Sequence, residues 1–315
     1  MTQLSISGFF IGTAEDIEGL TGVNVILAPR GAVAGVDVRG YAPGTRETDL
    51  LRPEKTVERI HSVVLAGGSA FGLEAACGVM TYLAEQGIGF DTGVGKVPIV
   101  CGAVLFDLAV GHSKAYPNKA MGYRAAMAAT QHILSGNVGA GCGATVGKLA
   151  GSDRAMKGGT GYYELSLDNG LIVGAYVCVN SCGEVYDGDE VVAGVLNDER
   201  NGIVSSPQLL LDGATGQGGI NTTIGCILTN ADLTKTQCTA VSKTAHNGYA
   251  LAIRPVHTTM DGDTIFTMAL GEVVANVDTV CYLAQVAMRV AILDAVRSAE
   301  TVGTILAACD LNTTK

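Results

Sequence analysis

Charge is scarce in this chain, and positive charge is scarcer still. Charged residues make up 16% of the 315, and 20 Lys and Arg stand against 30 Asp and Glu, for a formal net charge of −10. A surface built for the nucleic-acid backbone or for anionic lipid needs clustered Lys and Arg, so neither a nucleic acid nor a membrane is expected as a partner. Nine cysteines (Cys77, Cys101, Cys142, Cys178, Cys182, Cys226, Cys238, Cys281 and Cys309) lie scattered without a Cys-x-x-Cys pair, so zinc spacing is absent. The start, MTQLSISGFF, has no basic segment leading into a long apolar run; a secretory leader is not expected, and reduced thiols in the cytoplasm are. The apolar run Ile99 to Val110 carries Gly102 and Asp107 and is too short to cross a bilayer, so no transmembrane helix is expected.

What the chain has instead is apolar residues, at 48%, and 43 glycines, enough for a sizeable core with tight turns and close backbone approaches. The length suits one or two domains. Short β-branched segments (Val23 to Leu27, Val33 to Val38, Val63 to Leu65) alternate with helical patterns such as Gly72 to Gln86, which implies α and β layers. Tyr162 to Leu167 and Leu171 to Val179, joined by Asp168, Asn169 and Gly170, read as a hairpin with a tight primed turn at Asn-Gly. Residues 201 to 219, rich in Gly and Ser, read as a surface connection before a strand at Thr222 to Thr229. Thr234 with Gln237 forms a capping box that opens a helix. A strand at Thr264 to Leu270, a long helix from about Val277 to Ala299 and a frayed tail follow, with no repeat of 20 to 50 residues.

Several familiar chemistries fail on inspection. The glycine cluster from Gly139 to Lys148 lacks the first glycine of a phosphate loop, where Cys142 stands, and has Leu149 where Ser or Thr would hold magnesium. The dinucleotide pattern G-x-G-x-x-G fails at Ala144 or Val146. Ser69 has Phe71 in place of the second glycine of a hydrolase elbow, and reads as a turn or cap residue. The five histidines contain no H-E-x-x-H pair.

Thr222 is different. It follows a glycine-rich segment containing Gly218 and Gly219 and opens an apolar strand, in GGINTTIGCILTNA. It is either a β-branched strand opener or a residue that attacks the carbonyl of Asn221 and becomes a new amino terminus. A free α-amine, with a pKa of roughly 7.7 to 8.0, then serves as base for the hydroxyl beside it. The same triplet at Asn312 to Thr314 lies in the tail and has neither setting.

The ordered blocks settle the choice as a resemblance. NTTIGCILTNA, IRPVHT (Ile253 to Thr258) and MDGDTIF (Met260 to Phe266) follow GAVAGVDVRGYAPGTRETDLL, VVLAGGSAFGLEAACGV, PIVCGAVLFDL and GNVGAGCGATVGK in order. Over nearly its whole length the chain resembles the DmpA-type self-cleaving aminopeptidases, which include β-peptidyl aminopeptidases and 6-aminohexanoate oligomer hydrolases.

The resemblance implies an α+β fold, a four-layer αββα sandwich of the DmpA and ornithine-acetyltransferase type. It implies a single hydrolase domain over 1–315, cut between Asn221 and Thr222 into an α chain 1–221 and a β chain 222–315, and oligomers of αβ units. Thr222 becomes the nucleophile, Asn180 the oxyanion donor, Lys148 a cation that keeps the amine neutral, and Asp261 and Asp263 the carboxylates that orient Thr222. Ser69 and Phe71 fall at the substrate pocket, where nylon-hydrolase relatives place a tyrosine at the position of Phe71, so a hydroxyl is missing here. The expected activity is hydrolysis of small peptides, amides or esters, with no metal or organic cofactor. The alternatives are acyl transfer of the ornithine-acetyltransferase kind, and a non-catalytic glycine-rich binding protein.

Overall fold

The computed structural model describes residues 2–215 and 221–311. Gly218, Gly219 and the second Asn-Thr-Thr at 312–314 lie outside them. Nine strands form one continuous, mixed sheet: β1 Phe10–Asp16, β2 Thr21–Val38, β3 Gly44–Arg46, β4 Arg59–Ala66, β5 Val100–Val104, β6 Gly159–Ser166, β7 Ile172–Asn180, β8 Thr222–Ala231 and β9 Thr264–Val273. Their order is β6-β7-β8-β9-β2-β4-β5-β3, with β1 on β2. β8 runs parallel to β9, and β4 parallel to β5.

The sheet folds into two layers because β2 serves both. Its first half, to Leu27, pairs with β1 and β4; its second half, from Val33, pairs with β9, and the register to β4 breaks between Leu27 and Ala32. The two segments expected as separate strands are therefore one long strand, whose register against β4 shifts across Pro29-Arg30-Gly31.

Period-two alternation then sorts the side chains into separate cores. Along β8, Ile224, Cys226 and Leu228 enter the space between the sheets, with Phe266, Ile26, Val63 and Leu65. Ile227 and Ala231 turn the other way, against Val241 and Tyr249 of α4 (Lys235–Ala252) and Met288 and Ile292 of α5 (Val277–Arg297). On the far side, Val79 and Leu83 of α1 (Ala75–Glu85) and Met121 and Ala125 of α2 (Lys119–Met127) cover Val25, Val64 and Val104. Helices, sheet, sheet, helices: these are the four layers of the expected αββα sandwich. Full burial of each such Val, Leu or Ile contributes roughly 1.5–3 kcal/mol, so the interior can hold a buried polar site between the sheets.

Four local expectations change. The hairpin of β6 and β7 is present, but its loop has three residues, Asp168, Asn169 and Gly170, with only Gly170 at positive φ (+83°). This is a type I turn closed by a glycine bulge, so Asn169 keeps an ordinary backbone. The described part of the 201–219 stretch contains a strand, Ile203–Val204, paired with Val195–Leu196 upstream, and a short helix, α3 Ser206–Leu211. Ser205 caps it by accepting from the Gln208 N–H at 3.3 Å, and Pro207 sits in the first turn; residues read as loop-formers are here a helix start. The helix expected from Gly72 begins as a 3₁₀ turn, Ser69–Glu74. Among the described residues one helix, α5, is long and apolar enough to cross a membrane, although 56% of that window is buried inside the fold, where α5 packs on β6, β7 and α4.

Candidate active site

Thr222 is the first residue of β8 and shares the parity of Ile224, so its side chain faces the space between the sheets at their edge. It lies opposite Asn180, the last residue of β7. The Thr222 hydroxyl donates to the carbonyl oxygen of Asn221, and the Gly262 N–H donates to that same oxygen at 3.0 Å. A Cβ on Gly262 would sit 2.8 Å from Thr222 Oγ1 and 2.6 Å from the carbonyl oxygen of Ala42, so only glycine lets the Asp-Gly-Asp segment approach this closely. Asn221 is buried, and its side-chain Oδ1 has no hydrogen-bond partner among the described residues.

The glycine-rich segment ending in Lys148 wraps the end of β7. Its backbone runs beside 180–183, with the Lys148 N–H on the Cys182 carbonyl (2.9 Å), and Lys148 Nζ donates to both the backbone oxygen (2.9 Å) and Oδ1 (2.8 Å) of Asn180. The Thr145 N–H also reaches Asn180 Oδ1, at 3.0 Å, which orients the amide so that Nδ2 donates to the Phe106 carbonyl. Burial pushes the Lys148 ammonium down to about 7, against the opposing pull of Asp261, Asp107 and Asp263. Upstream, the loop gives the Ala140 N–H to Asn24 and the Gly139 N–H to Glu15, and fully buried Lys157 ties down the carbonyls of Gly141, Ala144 and Gly158. Those two amides face protein acceptors, a different use from cradling a phosphate.

The acidic pair divides its work. Asp261 Oδ2 accepts from the Thr258 N–H (2.9 Å) and hydroxyl (2.6 Å), while Oδ1 is buried without a partner among the described residues. Burial, then the neighbouring Asp263, raises its pKa. Asp263 Oδ1 takes the Thr223 N–H at 2.7 Å and Oδ2 the His257 ring at 2.7 Å. The Thr222 hydroxyl itself is engaged by the Asn221 carbonyl rather than by either acid.

The sequence matches the Peptidase family S58 over residues 5–307. The chain belongs to peptidase family S58. It is 43% identical over 268 residues to an "uncharacterized aminopeptidase" of Mycobacterium leprae (strain TN), covering 81% of this chain and 72% of that one. It is 32% identical over 281 residues to a 6-aminohexanoate-oligomer endohydrolase of Agromyces sp. (strain KY5R), covering 87% and 76%. Among solved structures, the L-aminopeptidase D-Ala-esterase/amidase of Ochrobactrum anthropi superposes with a TM-score of 0.73 at 18% identity, over 97% of this chain and 90% of that chain. A Burkholderia sp. β-aminopeptidase does so at 0.69 and 19%, over 98% and 93%. These structural likenesses show the fold, and the family makes the protein a hydrolase of the aminopeptidase type.

Within this S58 chain, Thr222, Asn180, Lys148, Asp261 and Asp263 converge at one end of the central strands. Ser69 and Phe71 stand one loop away. The Ser69 N–H bonds the Leu105 carbonyl, and Phe71 is 59% exposed with its ring stacked on Tyr116 at 4.8 Å. A cavity of about 310 Å³ adjoins the site, lined by Lys148, Thr145, Phe106, Val110, Asp153 and Ile305 among others, and neither Ser69 nor Phe71 is among them. A larger cavity of about 1270 Å³, beside α2 between Glu15, Glu74, Tyr116 and Arg124, contains none of the expected site residues.

Sequence reasoning passed over Asp107 and His257. Asp107 accepts from the Thr21 hydroxyl and the Gly68 N–H, each at 2.7 Å, and burial pushes it up to about 6. It fixes the loop whose Phe106 carbonyl orients Asn180. Only its position as a lone acid in the apolar block PIVCGAVLFDL hinted at a role.

Proposed function

We propose that this S58 hydrolase cuts its own chain between Asn221 and Thr222 and then removes amino-terminal residues from small peptides, amides or esters through an acyl group carried on Thr222. One observation carries the reading: the Thr222 hydroxyl rests against the Asn221 carbonyl while the Gly262 N–H donates to that carbonyl's oxygen. The hydroxyl oxygen attacks the carbonyl carbon, and the Gly262 N–H faces the charge that builds on oxygen. The C–N bond breaks, the nitrogen takes the hydroxyl proton, and an ester joins Asn221 to Thr222. Water opens the ester, leaving 1–221 with a new carboxylate and 222–315 with a free amine on Thr222.

In turnover that amine accepts the hydroxyl proton as Thr222 Oγ1 attacks the substrate carbonyl, and returns it to the leaving amine. Asp261 Oδ1, a buried acceptor, suits the Thr222 hydroxyl, and the same burial that lowers Lys148 to about 7 disfavours charge on the new amine, which keeps it a base. Asn180, opposite Thr222 in register, supplies the amide donor for the tetrahedral oxygen, a contribution of about 10²- to 10³-fold where one such donor has been removed. The same reading carries a cytoplasmic enzyme built from several αβ units.

Intact mass and amino-terminal sequencing test it. Two pieces are expected, one beginning at Thr222; Thr222→Ala should leave one full-length chain without activity on aminoacyl p-nitroanilides, and Thr313→Ala should change neither property. An active, uncut chain would overturn the proposal.

A further inference from the structure

We propose that His257 is a positioning residue for this reaction: its Nδ1–H clamps Asp263, and Asp263 in turn holds the strand residue that follows the nucleophile. The inference rests on the Thr222 reading. Once the bond to Asn221 is cut, Thr222 loses its covalent anchor on one side, while its amine and hydroxyl must keep a fixed relation to the substrate. The peptide unit joining Thr222 to Thr223 is planar, so fixing the Thr223 N–H fixes the Thr222 Cα in that plane. Asp263 Oδ1 does this at 2.7 Å, from a buried position.

A carboxylate is a dependable anchor only if it cannot rotate. Its second oxygen accepts from His257 twice, from ring Nδ1 at 2.7 Å and from the backbone N–H at 3.3 Å. The ring is itself confined: His246 meets it edge to face at 4.8 Å and Tyr249 stacks on it at 6.0 Å, both from α4. His246 is held in turn by the Asp37 carbonyl at 3.1 Å, and burial pushes its pKa down to about 3, so an uncharged ring faces His257. Nε2 of His257 is buried with no partner among the described residues, which leaves Nδ1, facing the carboxylate, as the nitrogen with a reason to carry the proton. The backbone shows the same commitment. His257 sits at φ +54°, a left-handed backbone that ordinary residues avoid, and in it the ring and the N–H both reach one carboxylate oxygen.

The left-handed backbone suggests clean variants. Glycine and asparagine both accept φ +54°, but only asparagine places an N–H donor where Nδ1 stood. In the full-length, self-processed protein, His257→Gly should lower kcat roughly 10- to 100-fold, as expected for a small misplacement of a nucleophile, with KM changed less than about threefold. His257→Asn should restore most of that loss. In an Asp263→Asn background, adding His257→Gly should cost little more, since the histidine acts through the carboxylate.

Wild-type kcat in His257→Gly would overturn the inference. So would His257→Asn no better than His257→Gly at equal thermal midpoints, or an undiminished loss in the Asp263→Asn background. Should His257→Gly not fold, ¹⁵N NMR of the wild-type ring decides, with a proton on Nδ1 expected and the Nε2–H tautomer contradicting it. A wild-type chain that is cut and active but indifferent to His257 leaves the Thr222 reading standing, whereas activity in Thr222→Ala removes that reading itself.

Discussion

At the scale of residues, Gly262 leaves no room for a side chain beside Thr222. Its N–H serves the Asn221 carbonyl, and the missing Cβ leaves room for the Thr222 hydroxyl. Gly262→Ala must push either that hydroxyl or the Ala42 backbone aside. Self-cleavage should slow at least about tenfold, because displacements well under an ångström misalign attack; the measure is the uncut fraction by intact mass over time. That Thr222, Asn180, Lys148, Asp261 and Asp263 gather in one place was expected from the resemblance alone, and their roles belong to the proposed mechanism. Spacing alone left Thr222 as a strand opener. Asp107 and His257 were not legible, since each acquires its role from partners that folding supplies. Thr21 lies 86 residues from Asp107, and the rings around His257 come from a separate helix.

Elements were legible wherever a local signal coincided with a tertiary need. The capping box at α4 is formed in both directions, Gln237 N–H to the Thr234 hydroxyl at 3.3 Å and Thr234 N–H to Gln237 Oε1 at 2.9 Å. Thr234→Ala should cost ~1 kcal/mol and lower the thermal midpoint by a few degrees, with kcat unchanged, because it acts at the end of β8 remote from Thr222. Calorimetry beside steady-state kinetics would show both. The failures came where one residue type serves two structures. Ser205 and Pro207 start α3 with the chemistry that also makes loops, and Pro29-Arg30-Gly31 ends a strand in local terms yet merely bends β2 between two sheets.

At the scale of the molecule, alternation of strands and helices fits several layered folds; the four-layer order came from the likeness of whole blocks. Buried ionisable groups set how the assembly responds to pH. Asp107, raised by burial from 3.8 to about 6, binds its proton more tightly when folded and contributes stability that is lost between pH 4 and 6. Lys148 and Lys157, lowered by burial from 10.5 to about 7, contribute stability that grows as pH rises above 7. Buried thiols such as Cys178, raised from 9.0 to about 12, oppose this only above pH 9. His246, lowered by burial from 6.5 to about 3, gains stability as pH rises through that same acidic window and opposes Asp107. The thermal midpoint should therefore climb from pH 7 towards 9; scanning calorimetry at constant ionic strength checks it, and a fall over that range would contradict it. The order of strands adds a different consequence. Cut at Asn221, the chain becomes two molecules, yet β8 and β9 of the shorter one lie between β7 and β2 of the longer, hydrogen-bonded on both flanks. Neither piece could then leave without opening two ladders, so with the proposed cut made, unfolding becomes dissociation, and a fold built from one chain should acquire the mass-action behaviour of a heterodimer, with a midpoint that climbs with protein concentration.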